Sequence, residues 1–158
     1  MPRIELVTLV EAPPDRVFDL ARSIDLHALG QARHGEKAVA GVTRGLIGMG
    51  ESVTWKARHF GITQELTSRI VAFDRPGWFR DSMVSGAFAH FDHDHFFAHQ
   101  DRGTRMTDVF DFASPLGLLG RLADWLVLAG YMTRLVEERA LSIKRAAESE
   151  QWKELLPQ

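Results

Sequence analysis

From Lys37 to Ala113 the chain is written largely in period two. The segment "ESVTWKARHF" sets Val53, Trp55, Ala57 and His59 on one side and Ser52, Thr54, Lys56 and Arg58 on the other. "ITQELTSRIVAFD" groups Ile62, Gln64, Leu66, Ser68 and Ile70 opposite Glu65 and Arg69. Alternate side chains of a strand share a face, so each segment reads as a strand. The breaks at Gly61, at residues 75–77 and at residues 100–103 are too short for a parallel crossover, so neighbouring strands must run antiparallel. "KAVAGV", residues 78–84, residues 86–100 and "TRMTDVFDFA" complete about six strands, and "RIELVTLVEA" at the N-terminus adds another.

An antiparallel sheet with one apolar face needs a cover. Pro13, Pro14 and Asp15 are a helix-start signal, followed by an apolar stripe of Val17, Phe18, Leu20, Ala21 and Ile24. A second short helix at residues 25–29 ends at Gly30, and residues 30–36 read as a loop. Pro115 opens a long helix running to about Glu150, with Leu122, Trp125, Leu126, Ala129, Met132, Val136, Ala140 and Ile143 on its apolar face. Its apolar start is interrupted by Arg121 and Asp124, which argues against stable insertion in a membrane. The expected fold is α+β: a curved antiparallel sheet of about seven strands over a long C-terminal helix, with two short helices after the first strand. Residues 1–158 read as one domain with a pocket between sheet and helix. The glycines of "TRGLIGMG" (residues 43–50) lack the strand–GxGxxG–helix setting of a phosphate cradle and are expected to form a mobile lid over the pocket mouth.

The charge balance is near neutral, 19 Lys and Arg against 21 Asp and Glu, so there is no basic stripe for nucleic acid. Cysteine is absent, which removes disulfides and thiolate chemistry. No secretory leader is evident in "MPRIELVTLVEAPP", and a cytoplasmic protein is expected. There is no GxSxG and no distinguished serine nucleophile.

The chemistry concentrates in "GAFAHFDHDHFFAHQ", which holds four of the seven histidines. Phe91, His93, His95 and Phe97 share one strand face; His90, Asp92 and Asp94 share the other, wetter one. The first face is expected to look inward. The same phasing turns Asp108 inward with Met106, Phe110 and Phe112, Asp81 with Phe79 and Met83, and also Trp55, His59 and Gln64. His27 and His34 are expected at the surface or packed in loops. An unpaired buried carboxylate costs several kcal/mol, and a histidine partner resolves it. Asp108 with His93 or His95 is the favoured pair.

The motifs "APPDRVFDLARSIDLH", "EKAVAGVTRGLIGMGESVTWKARHFGI", "GAFAHFDHDHFF" and "DVFDFASPLGLLG" together resemble the START-like, or SRPBCC, ligand-binding superfamily with its helix-grip fold. The likeness extends over residues 3–147, closest to bacterial cyclase/dehydrase-like members. It implies a ligand pocket; it implies no single reaction, because members range from carriers to cyclases.

The reading carried forward is a binder of a small hydrophobic or amphipathic molecule, with no cofactor and no nucleic-acid partner. Its site comprises Trp55, His59, Gln64, Asp81, Phe91, His93, His95, Phe97, Asp108 and Trp125. Three alternatives stay open: a cyclase, dehydrase or hydrolase using His93 or His95 with Asp108 as acid–base pair; a metal-dependent variant on His93-x-His95 with His59 or Asp108 as third ligand; and a partner-binding module without a ligand. A homodimer also stays open.

Overall fold

In a computed structural model, which describes residues 2–115, 117, 118, 122 and 127–158, the period-two segments form one antiparallel sheet. β1 (Arg3–Val10), β2 (Lys37–Gly41), β3 (Ser52–His59), β4 (Ile62–Asp74), β5 (Trp78–Ser85), β6 (His90–Gln100) and β7 (Gly103–Ala113) lie in the order β1-β7-β6-β5-β4-β3-β2. β2 to β7 therefore form a meander, and β1 closes onto its far end. β1 and β7 approach closely where β7 begins: a Cβ on Gly103 would lie 2.1 Å from the Val10 carbonyl oxygen, so this position requires glycine. The register slips between Ala38 and Ala40 in β2 and at two places between β4 and β5. Such bulges bend a strand and increase its twist, which curves the sheet.

Two short helices follow β1. α1 (Pro14–Ala21) starts with Pro14 in its first turn, where the missing N–H costs nothing, and buries Val17, Phe18, Leu20 and Ala21. The Ser23 Oγ accepts from Leu26 N at 3.2 Å and caps α2 (Ile24–Gly30). A 3-10 turn at Ala32–His34 occupies part of the expected loop. The C-terminal helix α3 (Ala129–Ala147) buries Val136, Ala140, Ile143, Ala146 and Ala147, and α4 (Trp152–Leu155) follows it. Ahead of α3, Leu122 is 62% exposed rather than part of a covered stripe; Trp125 and Leu126 lie outside the described residues.

Two apolar clusters form beneath this cover. In one, the fully buried Phe18 meets Phe73, Phe79 and Phe97 edge-on with centroids 5.2–5.3 Å away. That single side chain contributes about 2–3 kcal/mol by burial alone. The other cluster joins Ile4, Phe91, Phe110, Phe112 and Val136, with Phe88 at its edge.

Candidate functional site

Beside the second cluster the interior is hollow. A cavity of about 390 Å³ lies between the sheet, α2 and α3. Trp55, Leu66, Phe88, Phe91, Phe110 and Val136 supply apolar wall. Of the residues expected at the site, Trp55, His59, Gln64, Asp81, Phe91 and His93 reach the cavity. His95 and Asp108 sit behind the wall, almost fully buried. Phe97 is not on the wall: it packs against Phe18, because α1 fills the space opposite it. Trp125 lies outside the described residues. The glycine loop at residues 43–50 does not border the cavity either. Gly45 N donates to Asp25 Oδ2 at 2.8 Å, Ile47 N to the Arg22 carbonyl at 3.1 Å and Gly50 N to the Ile70 carbonyl at 2.9 Å. Ile47 is buried, so the loop is strapped to α2 and β4, and the expected lid is corrected to a fixed strap.

The histidine-rich strand divides as its alternation requires. His90 and His99 are exposed, whereas Phe91, His93, His95 and Phe97 are buried. On the outer face Asp94 is also buried, under a bidentate Arg80 (2.8 and 2.7 Å) and the Trp78 indole (2.9 Å). On the inner face, register brings four polar groups together. Asp81 of β5 lies opposite His93 of β6, and His95 lies opposite Asp108 of β7. The side chains then connect directly and diagonally. His95 Nε2 donates to Asp81 Oδ1 at 3.0 Å and His95 Nδ1 to Asp108 Oδ1 at 2.8 Å, while His93 Nε2 donates to the same Asp108 oxygen at 3.1 Å. The two imidazole centroids are 3.8 Å apart.

This geometry assigns protons. Burial alone would push the His95 pKa down, but hydrogen bonds to Asp108 and Asp81 outweigh it and hold the pKa above its ordinary value. Both ring nitrogens face carboxylate oxygens, so the imidazolium satisfies both. Burial, reinforced by the neighbouring His95 charge, pushes the His93 pKa down to about 4. His93 is therefore neutral at pH 7, with its proton on Nε2 toward Asp108 and a lone pair on Nδ1. Burial opposes ionisation of Asp81, yet His95 and His93 bring its pKa to about 2. Asp108 is likewise held well below the usual carboxylate range by both histidines, against its own burial. Two carboxylates and one imidazolium leave one negative charge, and the Arg139 guanidinium interacts with Asp81 and lies on the cavity wall.

A second polar group lines the cavity from α2, the start of β2, and α3. His27 Nε2 bonds Glu36 Oε1 at 2.7 Å, and the His27 ring stacks on Trp55 with centroids 4.2 Å apart. His59 Nδ1 meets the Tyr131 hydroxyl at 2.6 Å, and burial pushes the His59 pKa down. Gln31, His27, Glu36 and Arg139 were not among the expected site residues, and His27 was expected away from the pocket. Helical spacing carried part of the signal: His27 and Gln31 are four apart, and Arg139 falls between Val136, Ala140 and Ile143 on the buried stripe of α3.

One donor atom each from Asp81, His93 and His95 lies within 4.8 Å of the others, a spacing that could hold a divalent first-row metal. The third donor is Asp81, not the His59 or Asp108 expected for that reading. The His95 imidazolium already bridges Asp81 and Asp108 through its two N–H groups, so a metal would have to displace a ring proton.

A family model described as polyketide cyclase/dehydrase and lipid transport matches residues 1–148. No curated protein matches the chain. Among solved structures, TTHA0849 from Thermus thermophilus is 18% identical, with a TM-score of 0.71 covering 92% of this chain and 99% of that one. Ginseng major latex-like protein 151 from Panax ginseng is 14% identical, with a TM-score of 0.67 over 94% and 98% of the two chains. Protein Ms6760 from Mycobacterium smegmatis is 18% identical, with a TM-score of 0.65 over 90% and 88%. At these identities the likeness is one of fold: the curved sheet gripping a long C-terminal helix.

Proposed function

The chain belongs to the polyketide cyclase/dehydrase and lipid transport family, and from that premise we propose that it binds one small amphipathic molecule in the cavity between sheet and α3. The observation that carries this reading is a hollow of about 390 Å³ with aromatic and aliphatic walls and a charged, hydrogen-bonded group at one end. That volume sits near the small end of the usual pocket range of about 300–1,000 Å³. It fits a compact ring system and is too small for a two-chain lipid. Apolar wall supplies most of the affinity, and Asp81 and His93 orient the polar end. No described helix is long and apolar enough to cross a membrane, and the setting proposed for this binder is the cytoplasm. Native mass spectrometry of freshly purified protein, followed by extraction, tests the reading. A stoichiometric co-purifying molecule with an apolar body is expected. An empty protein that also fails to bind any member of an aromatic and aliphatic library would overturn it.

A second reading is favoured by one observation, two buried imidazoles hydrogen-bonded to one Asp108 oxygen, with burial pushing the His93 pKa down and the carboxylates holding that of His95 up. Paired groups whose pKa values are pushed apart suit general base and general acid. His93 Nδ1 would take a proton from the ligand carbon next to the hydroxyl-bearing one, the C–H electron pair would form a C=C bond as the C–O bond breaks, and His95 would pass its Nε2 proton through Asp81 to the departing hydroxyl, which leaves as water. The cluster's total charge would not change. Turnover of hydroxylated polyketide-like substrates, abolished in Asp108→Asn, would establish this reading; no turnover on such a panel leaves binding alone.

A further inference from the structure

The histidine–aspartate cluster has the layout of a metal site together with the group that supports it. Both imidazoles spend one nitrogen on the same Asp108 oxygen, His93 Nε2 at 3.1 Å and His95 Nδ1 at 2.8 Å. Metal-binding histidines characteristically anchor their other ring N–H on a carboxylate in this way, which fixes the tautomer and the orientation of the ring. The nitrogens left over are His93 Nδ1 and His95 Nε2. His95 Nε2 lies 3.0 Å from Asp81 Oδ1, and Asp81 stands directly opposite His93 across the β5–β6 pair. One donor atom each of Asp81, His93 and His95 falls within 4.8 Å of the other two. Around a tetrahedral ion with bonds of about 2.0–2.2 Å, donors sit about 3.4 Å apart. Small side-chain rotations therefore bring the set onto one ion.

Burial, donor type and charge agree with this layout. His93, His95 and Asp108 are 5%, 0% and 3% exposed, so packing holds the rings and bulk water does not compete for them. Asp81 and His93 border the cavity, so the remaining coordination of an ion held here opens into it. Two imidazoles and one carboxylate suit zinc, iron and their neighbours, whereas magnesium and calcium seek all-oxygen sites. Asp81 and Asp108 set two carboxylates beside the space, and a dication neutralises both. Arg139 also interacts with Asp81, but its guanidinium donates to the Ala21 carbonyl at 2.8 Å.

We propose that Asp81, His93 and His95 bind one divalent first-row metal ion, with Asp108 as the shared carboxylate that orients both rings and with open coordination on the cavity side. This goes beyond the ligand-binding reading and does not depend on it. It excludes the acid–base reading in the loaded protein, because both need the same two nitrogens; the proton arrangement described above is that of the metal-free chain. The test uses the full chain without a histidine tag, stripped with a chelator, then titrated with zinc chloride by calorimetry and with cobalt chloride by visible absorption. One ion per chain is expected, with cobalt bands stronger than those of the aqueous ion. Asp81→Asn and His93→Gln should each weaken zinc binding by at least about tenfold, and Asp108→Asn, which leaves all three ligands in place, by about 10–100-fold. Near-UV circular dichroism checks that each variant is folded, and Asp81→Asn, at the cavity wall and equal in size, carries the test if the others are not. His90→Gln, at an exposed histidine, should leave the affinity within about twofold. Azide, which ligates an open position, should shift the cobalt bands; bands that azide leaves unchanged would overturn the open coordination. A stripped chain that takes up neither ion, or uptake that is lost in His90→Gln and kept in Asp81→Asn, would overturn the site, while binding of an apolar molecule in the cavity would be untouched by either result.

Discussion

The two ends of this interior are built from the same sheet and the same alternation, yet one is solid and the other hollow. At the solid end α1 drives Phe18 between Phe73, Phe79 and Phe97. At the hollow end α3 bridges the sheet above Phe88, Phe91 and Phe110, and a space of about 390 Å³ is left. Between them stands the Asp81–His95–Asp108–His93 chain, with two members on the cavity wall and two behind it. The difference shows that a strand's apolar face specifies burial but not filling. What lies opposite decides whether an inward side chain becomes core or wall.

The contrast can be broken most forcefully at the solid end. Phe18→Ala is expected to cost about 4 kcal/mol of unfolding free energy, since a well-packed aromatic leaves a void its neighbours close only in part. Urea denaturation measures this, and a loss below about 1 kcal/mol would mean the solid end is as loosely filled as the other. At the boundary, Asp108→Asn should cost about 3 kcal/mol, because it removes the anion both imidazoles share inside the protein. Its chemical-shift signature should be a fall in the His95 pKa, read from the imidazole resonances; an unchanged His95 would show that Asp81 alone holds its proton.

The boundary also makes a pH prediction. His93 has a folded pKa of about 4 against an ordinary value of 6.5, so the unfolded chain binds more protons between these pH values. Its contribution is intact above pH 6.5 and is lost as the pH falls toward 4, by up to about 3 kcal/mol. His93→Gln should flatten this part of the stability profile. Asp81 adds a further loss between its ordinary value of 3.8 and about 2. His95 works in the opposite sense: its raised folded pKa stabilises fully below the ordinary value, and that part is lost as pH rises through the folded pKa. A stability profile flat from pH 6.5 to 4 in the unaltered protein would contradict the proton assignment. The smallest effect belongs to the hollow end. Phe88→Ala, at the edge of a space already present, should cost only about 1 kcal/mol; a loss matching Phe18→Ala would show that the hollow end is as tightly packed as the solid one.

Much of the architecture was legible in the chain. The seven strands, the two short helices after β1 and the inward phase of His93, His95, Asp81 and Asp108 all follow from local alternation, since neighbouring residues on a strand must point to opposite faces. The site was legible only in part. His27 reads as a surface or loop-packing residue, Gln31 falls in the expected loop at residues 30–36, and Arg139 is one charge in the run that begins at Glu137. They became cavity groups because α2 and α3 present those positions toward the sheet. Phe97, phased inward correctly, meets Phe18 instead of a void, and the glycine loop proved to be a strap because its backbone groups find partners on α2 and β4.

By itself, then, the sequence determined which strand side chains share the inward face, because periodicity is a property of one segment at a time. Only the tertiary structure decided which carboxylate meets which imidazole, where the interior is filled, and which polar residues border the hollow. Those depend on strand register and on the helices laid across the sheet, and both bring together residues far apart in the chain.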